Sequence, residues 1–342
     1  MATISLQPAP DPALLEVMWR GLEARADLSF FQSWTWMGCL VAERFPRPLL
    51  LRAVDEAGDV ALGLFNRRRL SLHLGESGDP ARDNIYIEHN GVVRARCGAP
   101  DLTALLRAVR FHTLVPRRLV LSGVDDAHRD AADALGGRVV TRRTHTAPAI
   151  DFGISGADWM AGISANTRQQ LRRSARAYAG QGALRVARAE SVAQAYEFLD
   201  ALVALHRRTW EKRGKPGAFA QPFFRRFHRA LIARGMARDE IDLLRVSAGD
   251  AVIGYLYNFR HRGRVLAYQS GFDYDAAKSV QKPGMTCHQM AIDMYAAAGA
   301  LVYDFLAGDD RYKRSLANGQ TALHWVAIYP AMSDFVLGRN VK

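Results

Sequence analysis

The chain has 342 residues, of which 49% are hydrophobic and 23% charged, with a formal net charge of +12. This composition is typical of a globular protein of about two domains, and it excludes a disordered chain, a collagen-like repeat and a disulfide-stapled miniprotein. The three cysteines are widely spaced and the ten histidines show no ligand spacing, so no disulfide framework or metal site is expected.

The positive charge is concentrated in the second half of the chain. Residues 1–150 hold 19 Lys and Arg against 17 Asp and Glu, whereas residues 151–342 hold 27 against 17. An excess of cations predicts an anionic partner there, such as a phosphorylated cofactor, nucleic acid or an acidic surface. No uncharged apolar run reaches about 18 residues and residues 1–25 lack a secretory core, so we expect a cytoplasmic protein without a membrane span.

Hydrophobic periodicity and turn residues predict the elements of both halves. A domain boundary is expected near residues 147–158, which gives units of 1–150 and 151–342. In the first unit we expect helices at 12–25, 32–45, 102–110 and 125–135, and strands at 49–54, 60–65 and 118–122. In the second we expect helices at 166–178, 193–212, 222–234 and 284–298, a meander of strands at 241–246, 252–259 and 265–271, and strands at 302–306 and 322–328.

Short segments of the two halves resemble each other in the same order. The sequence Leu-Gly-Leu-Phe-Asn at 62–66 is similar to Ile-Gly-Tyr-Leu-Tyr-Asn at 253–258. The sequence Ser-Gly-Val-Asp-Asp at 122–126 is similar to Ala-Gly-Asp-Asp at 307–310. The nearly constant offset indicates a duplicated α/β unit.

The start of the helix predicted at 284–298 has features of a phosphate site. The unpaired N–H groups and partial positive charge of a helix N-terminus suit a diphosphate. Gly284 allows close approach of the backbone, and Pro283 favours a helix start. This turn therefore predicts either a phosphate site or simply a helix start.

The order of meander, glycine-opened helix, strand, short helix and strand resembles the core of the GNAT acyltransferases. Their cofactor signature, Gln/Arg-x-x-Gly-x-Gly/Ala, is matched by Gln281, Gly284 and Thr286, with Thr in place of the usual Gly or Ala. The run from Tyr303 to Lys313, Tyr-Asp-Phe-Leu-Ala-Gly-Asp-Asp-Arg-Tyr-Lys, resembles the branch of CelD-type acetyltransferases, which is distantly similar to the Fem aminoacyltransferases. Further matches lie at 30–34, 87–91, 205–210 and 217–219.

The resemblance implies an α/β (α+β) fold of two tandem GNAT-like units, each a mixed, mostly antiparallel sheet flanked by helices. The first unit shows no clear cofactor motif, and the second is expected to hold acetyl-CoA or another acyl-CoA. The implied reaction transfers the acyl group to an amine, which is a small molecule or is bound to a carrier. The residues expected to bind the donor are Gln281, Lys282, Gly284, Met285, Thr286 and Lys313.

Two residues are candidates for proton transfer. The resemblance places Tyr312 where GNAT enzymes often have a tyrosine that protonates the leaving thiolate, although an ordinary half-buried tyrosine fits equally well. Asp304 lies among apolar strand residues, so it is expected either to accept the proton of the amine or to tie the adjacent loop to the strand.

Candidates for the acceptor pocket come from both halves. His206 and Trp210 are four residues apart and share one helix face, which also fits ordinary packing. The other candidate residues are Tyr257, Tyr268 and Gln269 from the predicted meander and Glu88 from the first half.

Two alternatives remain open from the sequence. One is a Fem-like transferase that uses aminoacyl-tRNA, which the basic second half also favours. The other is a catalytically silent GNAT-like module that binds RNA or an acidic partner. Arg168, Arg172 and Arg176 form a stripe on one helix, which suits phosphates or simply a solvated face.

Overall fold

The computed structural model describes residues 2–45, 47–83, 85–111, 118–155, 158–308 and 310–330. The chain forms two compact units. The first consists of residues up to His145 together with those from Ala322 onward, and the second of residues from Thr146 to Thr321. These bounds differ from the predicted division at 150, because the last strand of the chain belongs to the first unit.

The first unit contains a sheet flanked by four helices. Asp101 and Asp125 begin two of these helices, since their carboxylates accept hydrogen bonds from the Ala104 and His128 amides. The elements are β1 (Thr3–Pro8), α1 (Pro12–Glu23), α2 (Trp34–Glu43), β2 (Leu49–Asp55), β3 (Gly58–Arg68), β4 (Ser71–Leu74), β5 (Val93–Arg94), α3 (Leu102–Arg110), β6 (Arg118–Val124), α4 (Asp126–Ala134) and β7 (Arg138–Asp151).

The second unit begins within β7 and contains the basic helix and the predicted meander. Ser164 and Ser191 cap α6 and α7 by accepting hydrogen bonds from the Thr167 and Gln194 amides. The elements are α5 (Phe152–Ser155), α6 (Ala165–Ala179), β8 (Leu184–Arg188), α7 (Val192–Lys212), α8 (Pro222–Met236), β9 (Ile241–Ala248), β10 (Ala251–His261), β11 (Arg264–Phe272), α9 (Pro283–Ala297), β12 (Val302–Asp304), α10 (Arg311–Leu316) and β13 (Gly319–Tyr329).

The two units have sheets of the same order. In the first, the order is β1-β2-β3-β4-β6-β13, with β4 and β6 parallel and the other neighbours antiparallel. In the second, the order is β8-β9-β10-β11-β12-β7, with β11 and β12 parallel and the rest antiparallel. The sixth strand of each sheet comes from the other half of the sequence. This repeat of strand order is the structural counterpart of the two short sequence echoes.

The core of the second unit lies between its sheet and α9. Cys287, Ala291, Ile292 and Tyr295 repeat at helical spacing and are buried against the sheet. The helices α7 and α8 pack on strands of the same sheet. No helix of the described residues is long and apolar enough to cross a membrane.

Candidate active site in the second unit

Two parallel strands separate beside the start of α9. β11 and β12 pair only where Arg264, Val265 and Leu266 lie opposite residues 302–304. β12 ends at that point, whereas β11 continues to Phe272. The edge of β11 beyond Leu266 therefore has no strand partner on this side among the described residues, and its backbone groups border a gap in the sheet.

A bulge in β11 lies at the mouth of this gap. Asn258 of β10 pairs with Ala267, but the preceding residue, Tyr257, pairs with Gln269, so Tyr268 is an extra residue in β11. A bulge bends its strand and redirects the neighbouring backbone groups, and bulges are over-represented next to active sites. The gap thus combines an unpaired strand edge with a local change in strand direction.

The first unit has the same pair of parallel strands, but its gap is closed. β4 and β6 also pair over three residues, 71–73 with 118–120. Beyond them the Asn90 side chain donates to the carbonyl oxygens of Leu74 and Ser122 at 3.0 and 3.1 Å, and its backbone amide donates to the Gly123 carbonyl at 2.9 Å. Asn90 therefore connects both strands where the second unit leaves them open.

The first turn of α9 lies at the same end of the sheet as this gap. Lys282 precedes the helix, and its amide donates to Ser174 Oγ of α6 at 2.8 Å. The amides of Gly284 and Met285 have no acceptor in the described part of the chain. Two donors and the positive end of a 15-residue helix dipole therefore remain available for an anion.

Two residues of the predicted signature hold the helix start in place. The Thr286 hydroxyl is fully buried and lies 2.7 Å from Ser174 Oγ. Gln281 is also buried, where its Oε1 accepts the Lys278 amide at 2.7 Å and its Nε2 lies 3.4 Å from the Ala177 carbonyl oxygen. Both side chains are engaged with α6 or with the preceding turn, so their polar groups do not face an open groove.

Gly284 is the position where a side chain would conflict with its surroundings. A Cβ built there would lie 3.1 Å from the Phe272 ring and 3.3 Å from the Tyr274 hydroxyl. Lys282 is exposed and Met285 packs partly against the core. The approach to the free amides therefore passes beside the Tyr274 hydroxyl.

Tyr312 is partly buried and packs against a cluster of aromatic rings that includes His288 and Phe305. Its ring stacks on His288 of α9 at 5.4 Å, and His288 Nδ1 lies 2.9 Å from the Tyr303 hydroxyl. Burial raises the pKa of Tyr312 well above its usual value, and the nearby Asp310 adds to this shift. Burial lowers the pKa of His288 to about 3. Tyr312 is thus a protonated phenol beside a neutral imidazole at neutral pH.

A comparison with known protein families shows which family the sequence of the second unit is similar to. The acetyltransferase (GNAT) domain family matches residues 165–314. This part of the second unit is therefore similar to GNAT acetyltransferase domains. The search of curated proteins found no match.

Solved structures agree with this fold over the whole chain. FemX has a TM-score of 0.62 at 10% identity, with 100% of this chain and 99% of that chain covered. The C-terminal domain of a putative lysylphosphatidylglycerol synthetase from Agrobacterium fabrum has a TM-score of 0.56 at 12% identity, with coverages of 96% and 95%. A tandem GNAT protein from the clavulanic acid biosynthesis pathway has a TM-score of 0.51 at 10% identity, with coverages of 96% and 100%. The predicted fold of tandem GNAT-like units is confirmed.

Asp304 ties together the loop that follows β12 in the second unit. It is fully buried, its Oδ1 accepts the Leu306 amide at 2.8 Å, and its Oδ2 lies 3.1 Å from Arg264 Nη1. Leu306 has a φ of 59°, which is costly for a branched residue, so this contact holds a strained position. Lys313 reinforces the loop because its Nζ donates to the carbonyls of Leu306 and Ala307 at 3.3 and 3.0 Å. Asp309 lies outside the described residues, and Asp310, which directly precedes α10, makes no side-chain capping bond.

Two of the acceptor candidates form a buried network that includes a residue missed by sequence reasoning. The hydroxyls of Tyr257 and Tyr268 lie 3.2 and 3.1 Å from the two ring nitrogens of His228, on α8. Burial lowers the pKa of His228 to about 3, so it is neutral. All three side chains belong to the core and do not line an open cavity. The phenylalanines at 223, 224 and 227 already indicated a buried helix face around His228.

His206 connects β11 to the loop before α8. Its Nδ1 lies 3.1 Å from the Ser270 carbonyl oxygen, and its Nε2 accepts the Ala218 amide at 3.4 Å. Burial lowers the pKa of His206, which keeps the ring neutral. Trp210 packs beside it at 5.7 Å. Both therefore lie near the unpaired end of β11.

The remaining candidates are separate from this group. Gln269 is half-buried on β11 next to the bulge. Glu88 is buried within the first unit. Of the predicted basic stripe, Arg168 donates to carbonyls of residues 160–163 and so anchors the segment before α6. The described residues contain no cluster of side chains suited to a metal ion.

Proposed function

We propose that the second unit transfers an acyl group from an acyl-CoA thioester to an amine. The observation that carries this proposal is the edge of β11 that β12 leaves unpaired, at the same end of the sheet as the free amides of Gly284 and Met285. A diphosphate fits the helix start because backbone N–H groups and the helix dipole both favour negative charge there. The pantetheine arm would then enter the gap along the unpaired edge of β11. Since Asn90 closes the equivalent gap of the first unit, each chain would bind one donor.

The reaction proceeds by direct attack on the thioester. The amine nitrogen forms a C–N bond to the carbonyl carbon, the C–S bond breaks, and the amine loses a proton. Backbone N–H groups near the bulge would polarise the carbonyl oxygen, and one such preorganised donor is worth roughly 2.7–4 kcal/mol in a known enzyme. Tyr312 gives its proton to the departing thiolate. Its raised pKa keeps the phenol protonated at neutral pH, and Tyr312 regains a proton from solvent after the thiolate has been protonated.

Asp304 is assigned to the loop and not to proton transfer from the amine. Both of its carboxylate oxygens already accept hydrogen bonds within the fold. A base that accepts the proton needs an oxygen within about 2.6–3.2 Å of the attacking nitrogen. We therefore propose that the proton of the amine leaves through solvent.

A second candidate function is supported by the charge distribution. Residues 159–189 contain six arginines and no acidic residue. Arg172, Arg173 and Arg176 are exposed on α6, and none has an acidic partner among the described residues. Since α6 contacts the start of α9 through Ser174, an aminoacyl-tRNA donor could be held by this basic surface.

Binding experiments separate the two donors. Acetyl-CoA and longer acyl-CoAs are expected to raise the melting temperature of the protein, and Gly284→Glu is expected to abolish that rise. Gly21→Glu is the matched control, because a side chain at Gly21 meets no atom within 4 Å. Circular dichroism checks that each variant is folded. Stabilisation by charged tRNA but by no CoA thioester would establish the second candidate, and stabilisation by neither would refute both.

A further inference from the structure

A cavity of about 260 Å³ lies beyond the end of β11 in the second unit. One wall is the last part of α7, and the other is the loop that follows β11. Its lining residues are Leu205, Arg208, Thr209, Lys212, Arg213, Phe272, Asp273, Tyr274 and Asp275.

The cavity has an excess of positive charge. Asp275 is shared by Lys212, which forms an ion pair with it, and by Arg208 at 4.0 Å. The Asp273 carboxylate accepts the backbone amides of residues 275 and 276 at 3.1 and 3.2 Å. Arg213 has no acidic partner among the described residues, and its guanidinium lies over the Trp210 ring at 5.4 Å. Arg213 is thus the cation of the cavity that is available to a ligand.

The distance from the cavity to the bulge sets a length for that ligand. Phe272 lines the cavity, and Gln269 lies at the bulge three residues earlier on β11. A strand rises about 3.4 Å per residue, so the two places are about 10 Å apart. A molecule that reaches both would carry its charged group about that far from its reacting atom.

We propose that this cavity binds a negatively charged group of the acceptor, either a carboxylate or a phosphate. The acceptor is then an amine whose anionic group lies about 10 Å from the nucleophilic nitrogen, and polyamines are poor substrates. This inference rests on the proposed acyl transfer, in which the amine attacks near the bulge. Tyr274, in the lining of the cavity, provides an aromatic surface for the bound molecule.

Amines of equal length and opposite terminal charge test the proposal. In 8-aminooctanoate the nitrogen and the carboxylate are about 10 Å apart when the chain is extended. We expect its kcat/KM with acetyl-CoA to exceed that of 1,8-diaminooctane by about tenfold, because the second group of the diamine meets Arg213 with like charge. The shorter 4-aminobutanoate is expected to lose this advantage. Calorimetric binding of the same amines, with and without CoA, gives a readout independent of turnover.

Charge reversal identifies the responsible residue. Arg213→Glu is expected to abolish the preference for 8-aminooctanoate, whereas Arg185→Glu, an exposed arginine on β8, is expected to retain it. Equal preference for the two amines in the unaltered protein, binding of neither, or a preference that survives Arg213→Glu would overturn the proposal.

The anion in the cavity could also be a phosphate of the acyl-CoA donor, and a second experiment distinguishes this source from the acceptor. If the cavity holds the 3′-phosphate of CoA, Arg213→Glu weakens CoA binding but leaves dephospho-CoA binding unchanged. We expect both affinities to change less than about twofold, since Arg213 would serve the acceptor. If no CoA binds while 8-aminooctanoate binds in an Arg213-dependent way, the donor proposal fails and the cavity assignment stands.

Discussion

Ser174→Ala tests how the start of α9 is held. Ser174 and Thr286 are both fully buried, and Ser174 Oγ lies 2.7 Å from Thr286 Oγ1 and accepts the Lys282 amide at 2.8 Å. The substitution removes two hydrogen bonds, each worth about 1 kcal/mol, and leaves a buried hydroxyl unsatisfied at a cost of about 1–3 kcal/mol. We expect a loss of roughly 3–5 kcal/mol in the free energy of unfolding of the second unit.

A double-mutant cycle gives the sharper test. Thr286→Val removes the hydroxyl that Ser174→Ala would leave unsatisfied, so the double variant is expected to lose about 1 kcal/mol less than the sum of the single losses. Differential scanning calorimetry measures the melting temperature of the second unit, which should fall by roughly 6–20 °C for Ser174→Ala. Ser279→Ala, on the exposed loop before α9, is the control. Additive losses, or a loss below about 0.5 kcal/mol for Ser174→Ala, would refute the reasoning.

Three further predictions concern turnover and stability. Tyr312→Phe is expected to lower kcat by about 10²–10⁴ with nearly unchanged affinity for acetyl-CoA, and lost affinity with unchanged kcat would contradict the acid role. Asn90→Ala is expected to destabilise the first unit by about 2–4 kcal/mol in urea unfolding, because the carbonyls of Leu74 and Ser122 lose their hydrogen-bond donor. The number of acyl-CoA molecules bound per chain is expected to stay at one. Burial raises the pKa of Glu76 to about 7, so between pH 4.5 and 7 the folded state holds a proton that the unfolded state releases. The free energy of unfolding should therefore fall as the pH rises through this range, and Glu76→Gln should remove the fall in urea titrations at several pH values. A fall that is unchanged in Glu76→Gln would show that another group is responsible.

Hydrophobic periodicity was sufficient for most of the second unit. Helix α7 and the strands β9, β10 and β11 lie within a few residues of their predicted bounds, because their buried residues recur at regular spacing. Strand β8 was missed because Arg185, Ala187 and Arg188 make up three of its five residues and leave little apolar alternation. The exchange of the sixth strands could not be predicted, since strand pairing between distant segments leaves no local pattern.

The elements that carry the candidate site were predictable from the sequence, but the orientation of its side chains was not. Gly284 lies in the first turn of α9 and Tyr312 lies in α10, as the predicted order of elements indicated. Gln281 and Thr286 were expected to face a cofactor, yet their polar groups are bound to α6 or to the turn before α9. That outcome depends on how α6 packs across the helix start, which is a tertiary contact with no counterpart in residue spacing.

The closure of the first unit also depends on tertiary structure. The segment around Asn90 resembled the family in sequence, but nothing in its pattern indicated that the amide would connect Leu74 and Ser122. Under the proposed acyl transfer, the contrast between the strands joined by Asn90 and the unpaired edge of β11 predicts a single donor site per chain.

A crystal structure with bound acetyl-CoA tests the central claim most directly. We expect density for the diphosphate within hydrogen-bond distance of the Gly284 and Met285 amides, with the thioester between β11 and β12. Density for the donor elsewhere on the chain, or a gap filled by protein side chains while the donor is bound, would contradict it.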